Sequence, residues 1–296
     1  MSWLDDPQKL EIIIWDVQHG NAIYMKTPNG KHFCFDIGSG SFGSGQTFSP
    51  LAYLSNKWDV TKLDYLVISH PHADHISDIE TLFEKSMKPH VLLRPKELSE
   101  EFIREANQNQ FADIIDRYLE LSGDYDSDVL WENNPRNPEN NGGVKIESYS
   151  QREVGLNNLN NYSFVSVISF GNQKVIIPGD IETCGWNELL KQEDFANMIQ
   201  GTTILVASHH GRESGFCSDI FDYFTPEITV ISDGSAGDTS ATSRYSYYSS
   251  GAKIRNRKTE RETERYVLTT RQDYVIYIVI EYDSFWDSTN RAIIAG

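Results

Sequence analysis

The chain has 296 residues and carries 26 lysines and arginines against 43 aspartates and glutamates, a net charge of −17. The length leaves room for a sizeable core in one large domain or two small ones, and a 39% hydrophobic content excludes a disordered or low-complexity chain. The acidity excludes a broadly basic nucleic-acid coat or a polybasic membrane binder, but leaves room for a local basic groove or a metal-centred phosphate site.

β-rich runs predict strands over 12–17, 22–27 and 32–37, with Pro28-Asn29-Gly30 as a turn between the last two. Residues 63–69 read as a further strand. Helices are expected over 76–85 and 98–121, the second because Phe111, Ile114, Ile115, Tyr118 and Leu119 recur at helical spacing. Residues 123–143 are rich in Asp, Asn, Pro and Gly and read as a long loop; an insertion is placed at 122–143.

The second half repeats this style. A hairpin is expected from strands 163–170 and 174–178 around Gly171-Asn172. A helix at 184–191, a strand at 203–207, a helix at 218–224 and a strand at 228–231 follow. Strands at 266–270 and 274–280 close the chain. Two similar halves of this kind suggest two mixed sheets with helices outside, within one domain over 1–296. Cys34, Cys184 and Cys217 are scattered and form no CxxC pair, residues 1–7 lack the cationic and apolar regions of a leader, and the apolar run 274–280 is too short to span a bilayer. The expectation is a soluble cytoplasmic protein without a membrane partner.

The chemistry concentrates where strand 63–69 runs into His70-Pro71-His72-Ala73-Asp74-His75. Imidazole and carboxylate are ligand types for zinc, manganese or iron. Strand-like alternation can turn His70 and His72 to one side, and a turn into the following helix can present Asp74 and His75 to a neighbouring metal. Two more apolar strands end in similar groups. One ends in Pro178-Gly179-Asp180, where Asp180 reads either as a helix N-cap or as a bridge between metals. The other ends in Ser208-His209-His210-Gly211. Five of the eight histidines fall in the 70–75 and 208–211 segments.

These segments, with Phe35-Asp36-Ile37-Gly38 upstream, resemble the metallo-β-lactamase fold superfamily. The resemblance implies a four-layer αββα sandwich of mixed α/β class with a metal site at the sheet edges. The run Asp16-Val17-Gln18-His19-Gly20-Asn21-Ala22, the Asn160-Asn161-Tyr162-Ser163 segment and Thr269-Thr270-Arg271-Gln272-Asp273 are further similar to the soluble domain of the competence protein ComEC. The resemblance covers about 12–280. It implies one or two divalent ions, Zn or Mn. His70 and His72 would hold one; Asp74, His75 and either His209 or His210 would hold the second; Asp180 would bridge them. Asp36 would orient the motif loop, and Asp74 and Asp180 would serve catalysis. The implied reaction is metal-dependent phosphodiester hydrolysis of DNA by a metal-bound hydroxide.

The chain departs from the pattern at two places. Most members carry a third histidine before the strand that here starts at Ser163, and this chain has Leu159-Asn160-Asn161 instead. Amides are weak zinc ligands; Asn161 is the candidate at that position. His19 reads either as a turn residue beside Gly20 or as a replacement ligand. The late Gly-His-Pro of ComEC-like chains is also missing around Ser243-Arg244-Tyr245-Ser246. Residues 252–271 carry a net +4 within the acidic chain. Lys253, Arg255, Arg257 and Lys258 therefore read either as a solvated hairpin or as a strip for a phosphate backbone. Tyr245, Tyr247 and Tyr248 read either as base-stacking or as packed residues. Two further functions remain open beside DNA cleavage. One is hydrolysis of small esters, lactones or thioesters at the same site. The other is a partner-dependent component of a defence or signalling system, binding another protein.

Overall fold

The computed structural model describes residues 8–42, 45–234, 239–283 and 288–296. Residues 1–7, read above as lacking a leader, lie outside them. Strands β1 (Gln8–Ile14), β2 (Ala22–Lys26) and β3 (His32–Ile37) lead through a hairpin, β4 (Gly40–Phe42) and β5 (Gln46–Phe48), to helix α1 (Pro50–Trp58). Strand β6 (Tyr65–Val67) precedes α2 (Ala73–Ile76) and α3 (Ile79–Glu84); β7 (Val91–Leu93), α4 (Glu100–Ala106) and α5 (Ala112–Gly123) follow. Next come β8 (Lys145–Tyr149), β9 (Val165–Phe170), β10 (Gln173–Ile177), α6 (Thr183–Leu189) and α7 (Glu193–Met198). Then β11 (Ile204–Val206), β12 (Ile228–Ile231) and α8 (Thr242–Tyr248) lead to β13 (Ala252–Asn256), β14 (Glu262–Arg265) and β15 (Val267–Thr269). Helix α9 (Thr270–Asp273), β16 (Ile276–Asp283) and β17 (Ser288–Ala295) close the chain.

Among the described residues the strands form two large mixed sheets, ordered β14-β13-β17-β16-β1-β2-β3-β6-β7 and β15-β12-β11-β10-β9-β8. Alternation along each strand makes the layers. Leu10, Ile12 and Ile14 of β1 face a core shared with Ile168, Val175, Ile177, Val206 and Val230 of the other sheet. Ile13 and Trp15 turn outward against Leu51, Leu54, Ile76, Leu82, Ile115 and Tyr118 of the first helix layer. Val167, Ile176 and Leu205 turn outward on the far sheet, against Trp186, Phe195 and Ile220. The order is therefore helix, sheet, sheet, helix, the αββα sandwich. Each fully buried isoleucine in these layers contributes about 1.5–3 kcal/mol. Among the described residues no helix is long and apolar enough to cross a membrane.

The expected helices are shorter and more broken. The 76–85 helix is α2 plus α3, interrupted at Ser77 and Asp78, where the Asp78 amide donates to Ile37 O (2.8 Å) and its carboxylate accepts from Leu51 N (2.8 Å) and Ser49 Oγ (2.9 Å). The 98–121 helix breaks at Asn107, whose backbone is extended (φ −109°, ψ 151°). The 218–224 segment is a 3-10 turn over Ser218–Asp222. The 122–143 stretch holds two short 3-10 turns, Trp131–Asn133 and Pro138–Asn141. Strands β4, β5, β7, β8 and β17 and helices α1, α7, α8 and α9 have no counterpart in the sequence reading. The solvated hairpin expected as one reading of 252–271 is β13–β14, polar and largely exposed.

Candidate metal centre

Strand direction gathers the polar segments. Strands β3 and β6 run parallel, as do β10, β11 and β12. The loops after β1, β3, β6, β10, β11 and β12 therefore leave from one end of the sandwich. Two donor groups form there: His70, His75 and Asp180; and His19, Asp74 and His210. Within each group one ligand atom per residue lies within 4.8 Å of the others.

Asp180 lies between the groups. Its Oδ1 is 3.3 Å from His75 Nε2, and its Oδ2 is 3.5 Å from His210 Nε2 and 4.0 Å from His70 Nε2. Asp74 Oδ2 is 3.5 Å from His210 Nε2 and 3.4 Å from His19 Nε2. The N-cap of α6 is Glu182, so Asp180 is not that helix's cap.

Buried partners fix the rings. His75 Nδ1 donates to Asp36 Oδ2 at 2.7 Å. His210 Nδ1 donates to Ser232 O at 3.0 Å. In both, the Nδ1 proton is committed and Nε2 is turned toward the carboxylates, the tautomer a metal ligand needs. Asp36, His209 and His210 all sit at left-handed φ (55°, 49° and 52°), which costs each residue about 1–3 kcal/mol and is tolerated because the surroundings hold it. Asn107, which the sequence reading passed over, ties the break after α4 to the motif loop. Its Nδ2 donates to Pro71 O (3.0 Å) and Ile103 O (2.8 Å), and its Oδ1 accepts from Ala73 N (2.9 Å).

The electrostatics are those of a cation site. Burial disfavours the charged form of His75, but Asp180, Asp36 and Asp74 together hold its pKa well above the usual histidine range. His210 is likewise opposed by burial and raised by Asp180 and Asp74, to about 10. Burial opposes ionisation of Asp180, yet His210 and His75 hold its carboxyl well below the usual range. Burial, then His75 and His72, push His70 well below the ordinary imidazole value. His75 Nε2, His210 Nε2 and Asn160 Oδ1 are buried polar atoms without a hydrogen-bond partner. Four of the donor separations, 3.3–3.5 Å, are close to the roughly 3.3 Å between ligand atoms lying about 2.0–2.1 Å from a tetrahedral zinc, while His70 and Asp180 are 4.0 Å apart. The residues present therefore fit a divalent ion.

The structure groups some residues differently from the sequence reading. His72 joins neither donor group; its Nδ1 faces His70 Nε2 at 2.9 Å. Strand β6 ends at Val67, so strand alternation does not reach His70, and the first turn of α2 brings His75 into its place beside Asp180. His209 stands beside the cluster, 3.9 Å from Asp180 Oδ2, with Nδ1 at 2.9 Å from Ser214 Oγ. Asn161 is not at the site. Its side chain links Gly155 O and Glu182, whereas Asn160 Nδ2 is the amide near His209 Nε2, at 3.4 Å. A 3-10 turn over Leu159–Tyr162 sets which amide faces inward.

The basic segment is spread out. Lys253 and Arg255 lie exposed on β13, with β17 and β16 between them and β1, and Arg255 pairs with Glu260 at 3.3 Å. Arg257 and Lys258 follow the end of β13 and sit over the rings of Tyr277 and Tyr274. Their turn is at the same end of the sheet as the site, because β13 is parallel to β17 and β17 and β1 are both antiparallel to β16. Arg271 comes nearer, its Nη1 3.1 Å from Asp233 Oδ2, one residue beyond the Ser232 that holds His210. Tyr245 is buried against Phe216 and Tyr248 stacks on Phe221, while Tyr247 is exposed.

Residues 15–185 match the sequence profile of the metallo-β-lactamase superfamily. No curated protein sequence matches the chain. Solved structures with some likeness include a diphosphatase of the PhnP family (11% identity, TM-score 0.40, 76% of this chain and 86% of that one). A long-form RNase Z from yeast is similar at 13% identity and TM-score 0.43, over 78% of this chain and 38% of that one. The diiron β-hydroxylase CmlA from Streptomyces venezuelae is similar at 15% and 0.42, over 76% and 45%. The chain thus spans less than half the length of the last two. The family match runs from the loop after β1 to the first turn of α6 and includes the motif loop and Asp180, and the layers around it are those of the same sandwich: the chain belongs to the metallo-β-lactamase superfamily, as a metallohydrolase.

Proposed function

We propose that the protein is a metal-dependent phosphodiesterase that cleaves DNA. The observation that carries this reading is the Asp180 carboxylate, one oxygen toward His75 and the other toward His210, between two donor groups. When bound, paired divalent ions supply Lewis acidity and an activated water for in-line displacement at phosphorus. Asp36 would keep His75 Nδ1 protonated and its Nε2 free for the ion. Asp74, the more exposed of the two carboxylates, would help hold an ion through Oδ2 and orient the attacking water with its other oxygen. Arg212, whose Nη1 lies 3.2 Å from His209 Nε2, would bind a phosphate oxygen at the edge of the cluster. The ComEC-like segments and the cationic turn at Arg257 and Lys258 also favour nucleic acid over a small ester.

The test is a panel of single- and double-stranded DNA with added Zn or Mn. Cleavage abolished by chelator, by His70→Ala and by Asp180→Ala is the expected result. Turnover of esters or thioesters without DNA cleavage would transfer the site to the small-molecule reading. The partner-dependent reading has one observation of its own: Val129, Leu130 and Trp131 form an apolar run that is 44%, 61% and 67% exposed.

A further inference from the structure

The two donor groups differ in how they are built. His70 and His75 are fully buried, whereas the His19 side chain is 46% exposed. A half-exposed imidazole in a turn needs a reason to stay in one place. Here the turn is pinned from two sides. Gln18 and Gly20 both take left-handed φ (62° and 134°), and a Cβ on Gly20 would lie 2.4 Å from Asp74 O. The Asn21 amide donates to the same Asp74 carbonyl at 3.3 Å. On the other side, a Cβ on Gly234 would lie 2.7 Å from His19 N. Ser232 registers both imidazoles at once: its Oγ donates to Gly20 O at 2.7 Å, and its carbonyl accepts from His210 Nδ1 at 3.0 Å. The His19 ring lies tilted over that of His210, centroids 5.0 Å apart. The turn is thus locked to the backbone of one donor, Asp74, and to the support of the other, His210. An exposed histidine–carboxylate pair stabilises a fold very little and would not require this bracing.

We propose that His19 is a protein ligand of the second metal position, beside Asp74 and His210. This rests on the metal-dependent reading above and extends it. The second position, open on the His19 side, exchanges its ion readily, and the position at His70, His75 and Asp180 holds its ion firmly.

The test is a titration of metal-stripped protein with Zn in competition with a chromophoric chelator, with elemental analysis of the loaded protein. The wild type takes up two equivalents. His19→Ala keeps the first equivalent within about twofold and loses about 100-fold or more in affinity for the second, with His19→Gln intermediate. His70→Ala weakens the first equivalent instead. Thermal unfolding of metal-free His19→Ala matches the wild type, since a half-exposed side chain contributes little to the fold. A second equivalent unchanged in His19→Ala, or a wild type that takes up a single equivalent, overturns the proposal and leaves the metal-dependent reading standing. A wild type that binds no Zn overturns both.

Discussion

The Nδ1 atom of His75 lies 2.7 Å from Asp36 Oδ2, on a carboxylate that also accepts from Ser69 N, Ser69 Oγ and Asn21 Nδ2. All four donors converge on one buried group, so Asp36 fixes both the backbone entry to the motif loop and the tautomer of its last histidine. Asp36→Asn replaces an acceptor oxygen with a donor against these groups. Metal affinity is expected to fall about 10–100-fold, as it does when such outer hydrogen bonds to ligands are lost. Chelator competition measures this; an unchanged affinity would remove Asp36 from the role.

Asn107 makes the complementary contact from outside, joining Pro71 O, Ala73 N and Ile103 O. Asn107→Ala should cost about 1–3 kcal/mol of stability through the polar groups left without partners. It should also loosen the loop that carries His70 and His72. Urea unfolding and metal titration are the readouts, and a midpoint equal to that of the wild type contradicts the assignment.

Arg212→Ala should raise KM for an oligonucleotide about tenfold with a smaller change in kcat, because a phosphate contact common to ground and transition states is lost. Arg212→Lys should recover only part of it, since the bidentate fork is missing. An effect on kcat alone would place Arg212 in another role.

Asp78 gives a pH signature separate from the candidate metal ligands. Burial is the main cause that raises its carboxyl from 3.8 to about 6, with hydrogen bonds from Ser49 and Leu51 acting against it. The folded state therefore holds the Asp78 proton more tightly than the unfolded state. Its contribution to stability is greatest below about pH 4, falls by about 2–3 kcal/mol as pH rises to about 6, and is constant above. Asp78→Asn should flatten that part of the curve in urea unfolding at pH 4–7; an unaltered slope would count against it.

Chelation should lower the unfolding temperature and added Zn or Mn should raise it, because ions that bind only the folded site stabilise by mass action. The gain is about 2.7 kcal/mol at a free ion concentration 100 times Kd. His70→Ala should remove most of this shift in a thermal melt. An equal shift in the wild type and in His70→Ala would place the stabilising ion elsewhere.

Much of this molecule is written locally. The alternation in Ile12 to Ile14, the apolar strands ending at Val67, Ile177 and Val206, and the donors clustered after them follow from residues a few positions apart. Local periodicity is enough to read such strands, because each side chain's face is set by its neighbours along the backbone. The long helical patterns misled at Ser77, Asp78 and Asn107, where bonds to Ile37, Leu51 and Pro71 outweigh helix propensity. The polar hairpin of β13 and β14 is only one of two readings its sequence allows, because it lies near the sheet edge and buries few side chains. Which donors share a site could not be read at all from spacing. His19, Asp74 and His210 belong to three strands' loops, and their grouping depends on β1 lying near β3 and β6 in one sheet while β11 faces them from the other. The same holds for Asn160 over Asn161 and for Ser232 beneath both His210 and Gly20. Residue types and strand ends are local properties of a chain, whereas a metal centre is a meeting of segments up to about two hundred residues apart, fixed by sheet pairing and packing.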